Sequence, residues 1–424
     1  MRASGTWVAL ALASVVTLPG CMLFRAADDI ASVEQLATIT GTLQTPQSSQ
    51  NPLVVGLFRE QGGGKSLASY YVRRGPGSFA FRVQPGSYHL FAFEDRNESL
   101  AYEEGEPAYY VGAQQAPIAA AAGKTVAVGS IQLGTRVPGG IAELRAAAKR
   151  DLAASPDLER AHRGTLVAWG DPRFSPEAAG EGMWTPYEAF KKYGAGMFFV
   201  EPYDPARVPV VFVHGINGSA RDFKTVIDSL DRSRFQAWVF QYPSGFRLEL
   251  INEFLFRLLD DLQARYRFDR YAIVAHSMGG LVSRGAVNKI VARGGKQPIA
   301  LYVTISTPWE GHEAAEMGTR YSPVVLPVWL DMSPGSPYLA ELFRTKLPDS
   351  MPYYLFFGFR GGSGSDGTVS LKSMLDLAGQ DQAVRIAGLP EDHMSILASR
   401  TLIERLNAVL ARHAAPGSKA AAAR

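Results

Sequence analysis

The chain has 424 residues, with 43 Lys and Arg against 40 Asp and Glu, a formal charge of +3. So small a basic excess does not indicate a nucleic-acid partner. At 46% hydrophobic and 20% charged residues the composition is that of an ordinary globular protein, and the length accommodates two domains.

The chain opens with the basic Arg2 and the apolar run "WVALALASVVTL", Trp7 to Leu18, whose 12 residues are too few to cross about 30 Å of hydrocarbon as a helix. This outline is that of a secretory signal over residues 1–20. "LPGC" ends in Cys21, the only cysteine, so neither an internal disulfide nor a thiolate metal site accounts for it. Leu18 to Cys21 resembles a bacterial lipobox. The resemblance implies cleavage before Cys21, acylation of its sulfur and new amino terminus, and a lipid anchor in the cell envelope. Each buried methylene stabilises such an anchor by roughly 0.8 kcal/mol. By similarity to lipoproteins of Gram-negative bacteria, Met22 after the cysteine points to the outer membrane.

Residues 36–135 read as short strands separated by turns. Phe79, Phe81 and Val83 alternate with Ala80 and Arg82, the two-residue period of a strand covered on one face. Pro85 and Gly86 fit the centre of a type II turn and predict a hairpin. The strands predict a small antiparallel β-sandwich, and "PGSYHLFAFEDRNESLAYEEGEPAYY" resembles the carboxypeptidase-regulatory or prealbumin-like modules of secreted proteins. "GGGKS" imitates a phosphate-binding loop, but its first required glycine is Arg59 and it joins strands, so a hairpin tip is the expectation. Glu94, Asp95, Glu98, Glu103 and Glu104 have no recognisable metal-ligand spacing.

Residues 136–200 are expected to be a connector, with a helix at "IAELRAAAKRDLA". From 201 to 413 strands alternate with helices. "VPVVFV" and "QAWVFQY" are near-continuous apolar runs, as strands buried on both faces require. Leu248, Ile251, Leu255, Leu258 and Leu262 form one apolar helical stripe. The expected fold class is doubly wound α/β, preceded by the β-sandwich.

Strand "YAIVA" runs into "HSMGG" and then a helix, which puts Ser277 at a sharp strand-to-helix turn with Ala275 and Gly279 as its small neighbours. A serine nucleophile needs a base, and the base needs a carboxylate to hold its tautomer. Of the seven histidines, His89 and His162 precede this domain, His214 and His276 belong to adjacent motifs, and His413 is in the tail. His312 follows "STPWEG" too early to come after an acid on the next strand. His393 in "LPEDHMSIL" is therefore the expected base. Asp366, in the glycine-rich "GGSGSDGTV", is the expected acid, with Asp331, Asp376 and Asp381 as alternatives.

"AHSMGG" resembles the nucleophile motif of Bacillus-type lipases, and "SDGTV" the acid motif of bacterial lipases. "VFVHG", "AHSMGG", "STPWEG", "SDGTV" and "EDHMS" occur in the order of the α/β-hydrolase superfamily, lipase and esterase branch, over about half the chain. The resemblance implies an oxyanion hole at the N–H groups of Met278 and Ile216, with His214 packing its loop. It also implies hydrolysis of an ester or lipid through an acyl-enzyme, without metal or other cofactor. An acyltransferase or thioesterase would use the same residues, and a non-catalytic envelope lipoprotein would use none of them. The apolar, proline-broken insertion at 310–351 is expected to cap Ser277, with Trp309, Trp329 and Leu330 against the substrate.

Overall fold

The computed structural model describes residues 20–45, 51–61, 64–111, 116–134, 161–294 and 298–416. They fall into two compact units, one built on residues 31–163 with 257–267 and the other on the remainder. Residues 1–19 of the expected signal segment 1–20, and the expected helix within 136–160, lie outside the described residues.

The smaller unit contains β1 (Ala37–Gln44), β2 (Pro52–Gln61), β3 (Gly64–Arg74), β4 (Gly77–Val83), β5 (Gly86–Glu94), β6 (Ala108–Val111), β7 (Ile118–Ala120) and β8 (Thr125–Gln132). One sheet has the order β4-β1-β8; the other is β3-β2-β5-β6, with β7 also on β5. Ile39, Leu43, Phe79 and Phe81 of the first sheet share a core with Leu53, Val55, Tyr88 and Leu90 of the second. Two expectations are corrected. The turn at Pro85 and Gly86 closes no hairpin, because β4 pairs with β1 while β5 pairs with β2. Both strands direct alternate apolar side chains into the shared core, so the turn carries the chain from sheet to sheet. Nor is the pairing purely antiparallel, since β1 and β8 run parallel. β2 and β3 pair antiparallel with Gln61 opposite Gly64, and Gly62 and Gly63 between them lie outside the described residues.

The larger unit is organised by an eight-stranded sheet: β9 (Ala161–Leu166), β10 (Ala195–Phe199), β11 (Val208–Val213), β12 (Phe235–Gln241), β13 (Tyr271–His276), β14 (Ile299–Ile305), β15 (Tyr353–Gly358) and β16 (Arg385–Leu389). Their order is β16-β15-β14-β13-β11-β12-β10-β9. The strands β11 to β16 pair in parallel, and β10 is antiparallel to β12. Every residue of β11, β12 and β13 is buried, which explains their unbroken apolar runs. The order reverses at β11, flanked by β12 and β13, and such a switch leaves a crevice at the carboxyl ends of the strands.

The boundary expected at residue 201 is also corrected. Phe198 and Phe199 of β10 pair with Val239 and Trp238, and the Val167 N–H donates to the Phe199 carbonyl at 2.9 Å. Residues 164–200 are thus part of the sheet unit rather than a connector. They also supply two helices. With α1 assigned to Gly20–Glu34, these are α2 (Pro176–Trp184) and α3 (Pro186–Tyr193), each with proline at its first position, where no N–H is needed. Four further helices matter below: α4 (Leu248–Tyr266), α5 (Met278–Ala292) directly after β13, α6 (Glu313–Tyr321) and α7 (Pro327–Met332).

Candidate active site

Ser277 joins β13 to α5 with φ 54° and ψ −133°, a conformation costing a non-glycine residue roughly 1 to 3 kcal/mol. The turn is held because the Ser277 N–H donates to the Ile305 carbonyl at 2.8 Å. Its neighbours must be small. A methyl added at Gly279 would come 2.2 Å from the Val213 carbonyl oxygen, and Ala275 is wedged in the sheet between Val213 and Thr304.

Three residues far apart in sequence meet here. His393 lies 2.9 Å by its Nε2 from Ser277 Oγ and 2.6 Å by its Nδ1 from Asp366 Oδ2. A carboxylate only accepts, so Nδ1 carries the proton and Nε2 is free to accept from the serine hydroxyl. Asp366 is fully buried, and its Oδ1 accepts the N–H groups of Thr368 and Val369 at 2.9 and 2.8 Å. Burial alone would raise its pKa; the bond from His393 and these two amides outweigh that and hold it below the usual carboxylate value. The other acids are committed elsewhere. Asp331 caps α4 by accepting the Leu248 N–H at 2.7 Å and pairs with Arg247 at 2.6 Å, while Asp376 accepts the Ala378 N–H at 3.0 Å. Asp381 ends a short helix.

The loop after β11 lies against the serine: a methyl at Gly215 would meet Ser277 Cβ at 2.8 Å. Ile216 follows directly in that loop, and Met278 is the first residue of α5, whose N–H has no carbonyl one turn back. His214 braces this loop. Its Nδ1–H donates to the Gly215 carbonyl at 2.8 Å, and its ring stacks on Tyr242, whose hydroxyl donates to the His214 carbonyl at 2.5 Å.

Sequence reasoning passed over His276. Its Nε2–H donates to the carbonyl of His393 at 2.8 Å and so fixes the backbone of the base. Nothing local announces this, because the partner lies 117 positions away. Burial pushes the pKa of His276 down to about 3 and that of His214 to about 4. An unfolded histidine titrates near 6.5, so the unfolded chain binds more protons below that pH and stability falls as pH falls. Each should cost roughly 2 kcal/mol of stability by pH 5. Urea midpoints at pH 7.5 and 5.0 would register the loss; equal midpoints would contradict it.

The insertion comprises α6, α7 and a third helix, Pro337–Leu342. Of the residues expected against substrate, Trp309 and Trp329 are instead packed within the protein. Trp309 is 2% exposed against Phe343 and Tyr353; Trp329 is 6% exposed against Trp184 of α2. Leu330 remains 40% exposed. The Val328 N–H donates to the Gly245 carbonyl, and Gly245 N–H to that of Gly182, so α2 and α7 are joined through one loop. Among the described residues no cluster of His, Cys, Asp and Glu is arranged to hold a metal, and no helix is long and apolar enough to cross a membrane. The acids of the smaller unit instead order their own loop: Asp95 accepts from Ser99 and Leu100 N–H, and Glu106 from Arg96 and Glu103 N–H.

A serine at a strand-to-helix turn, relayed through histidine to a buried aspartate, is the arrangement of a nucleophilic hydrolase. Residues 210–416 match the sequence model of the alpha/beta hydrolase family. Similar solved structures include the mature lipase BlEst2 of Bacillus licheniformis, 18% identical with TM-score 0.39 over 50% of this chain and 97% of that one. The lin2722 product of Listeria innocua is 14% identical, TM-score 0.39, over 50% and 97% respectively. The Vlm2 thioesterase domain is 16% identical, TM-score 0.36, over 52% and 98%. No curated protein matches the chain.

Proposed function

We propose that the protein is a serine hydrolase of carboxylic esters. The observation that carries this reading is the unbroken relay from Ser277 Oγ through His393 to the buried Asp366. Ser277 attacks the ester carbonyl while His393 Nε2 takes its proton, and Asp366 stabilises the resulting imidazolium. The N–H groups of Met278 and Ile216 receive the oxyanion, Met278 with the positive end of α5 behind it. Collapse of the intermediate returns the proton to the departing alcohol. Water, deprotonated by His393, then releases the acid from Ser277. We assign Leu330, which is exposed in the insertion, to contact with an acyl chain. Hydrolysis of p-nitrophenyl esters of increasing chain length tests both statements. Absence of turnover on every ester would defeat the first, and an unchanged chain-length profile in Leu330→Ser the second.

We read the smaller unit as a β-sandwich module and the whole as lipid-anchored at the outer membrane through Cys21. One feature supports the anchor: the short apolar run before the only cysteine. Mass spectrometry of the mature amino terminus should find a diacylglyceryl group on Cys21. A free thiol there, or cleavage at another bond, would contradict it.

A further inference from the structure

We propose that His312 is a positioning residue for Asp366: through the peptide between Thr368 and Val369, it ties the acid of the relay to the first turn of α6. This inference rests on the hydrolase reading of the site. Both ring nitrogens of His312 are engaged. Nδ1 accepts the Ala314 N–H at 3.1 Å, capping α6, and Nε2–H donates to the Thr368 carbonyl at 2.9 Å. These two partners demand the neutral ring with its proton on Nε2. Its own N–H donates to the Met332 carbonyl at 2.8 Å, at the end of α7, so the ring stands on a fixed base.

The Thr368 carbonyl and the Val369 N–H are the two ends of one planar peptide group. His312 grips the oxygen of that plane, and its N–H donates to Asp366 Oδ1 at 2.8 Å. A donor on the carbonyl polarises the amide and strengthens the opposite N–H as a donor. One hydrogen-bonded line therefore runs from His312 through the peptide to Asp366, His393 and Ser277. The loop needs such an external hold. Gly362, Gly364 and Gly367 adopt φ of 77°, 65° and 96°, and glycines leave the free chain many alternatives. The 310–351 insertion thus orients the acid as well as adding surface.

The two bonds of His312 can be separated by substitution. In His312→Asn the amide oxygen replaces Nδ1 and keeps the helix cap, but nothing reaches Thr368. In His312→Gln the amide nitrogen replaces Nε2 and keeps the Thr368 bond, but the cap is lost. His312→Ala loses both. The alanine and asparagine variants should lower kcat roughly threefold to tenfold on a short ester with KM little changed, the weight of one hydrogen bond between neutral groups passed to Asp366 through the peptide. The asparagine variant should melt like the wild type, whereas the glutamine variant should recover most of kcat while melting lower. Fluorophosphonate titration of the wild type is the control: no labelling of Ser277 would defeat the hydrolase reading itself. If the wild type is labelled and active, a folded asparagine variant with full kcat, or a folded glutamine variant no better than alanine, overturns the coupling alone.

Discussion

Ser277→Ala and His393→Ala should each lower kcat by roughly 10⁴ to 10⁶, and the double variant should be little worse than either. The non-additivity follows from the geometry. Ser277 Oγ is a useful nucleophile only with His393 Nε2 at 2.9 Å to take its proton, and His393 has no other reaction to serve. Neither change should unfold the protein, because each shortens a side chain without altering the turn at 277. Steady-state rates together with thermal melts check this. A folded Ser277→Ala protein retaining a tenth of the activity would show that another nucleophile works.

Asp366→Asn should lower kcat by roughly 10⁴ while leaving the loop intact. The asparagine oxygen can still accept the N–H groups of Thr368 and Val369, which the aspartate holds at 2.9 and 2.8 Å. The amide nitrogen would then face His393 Nδ1. Two donors cannot share that contact, so the ring must move its proton to Nε2, where it confronts the Ser277 hydroxyl and can no longer accept. Asp331→Asn should instead weaken the cap on α4 and the pair with Arg247, lowering stability before rate. Asp376→Asn keeps a side-chain oxygen for the Ala378 N–H and should do less. Near-full activity in Asp366→Asn, with loss in either of the others, would reassign the acid.

The features legible in the sequence are those fixed by short-range chemistry. Buried parallel strands need continuous apolar runs, and β11 to β13 have them. A serine in a tight strand-to-helix turn needs small neighbours, and Ala275 and Gly279 announce it. What escaped depends on partners distant in the chain. β10 is only five residues long, and a run that brief does not declare a strand until Phe198 and Phe199 find β12. The helices α2 and α3 were hidden in the same way, since Trp184 meets Trp329 far along the chain. In the smaller unit, alternation marked the covered face of β4 but not its neighbour, so the turn at Pro85 looked like a hairpin. His276 and His312 were passed over because each acts on a backbone carbonyl more than 50 positions away, at separations of 117 and 56.

The central claim is that Ser277 is a nucleophile activated by His393. Incubating the wild type with a fluorophosphonate and mapping the adduct by peptide mass spectrometry tests it most directly. The account predicts one adduct per chain, on Ser277, formed with loss of ester hydrolysis and formed far more slowly in His393→Ala. An unmodified Ser277 in protein whose esterase activity has been abolished, or an adduct on a different serine, would contradict it.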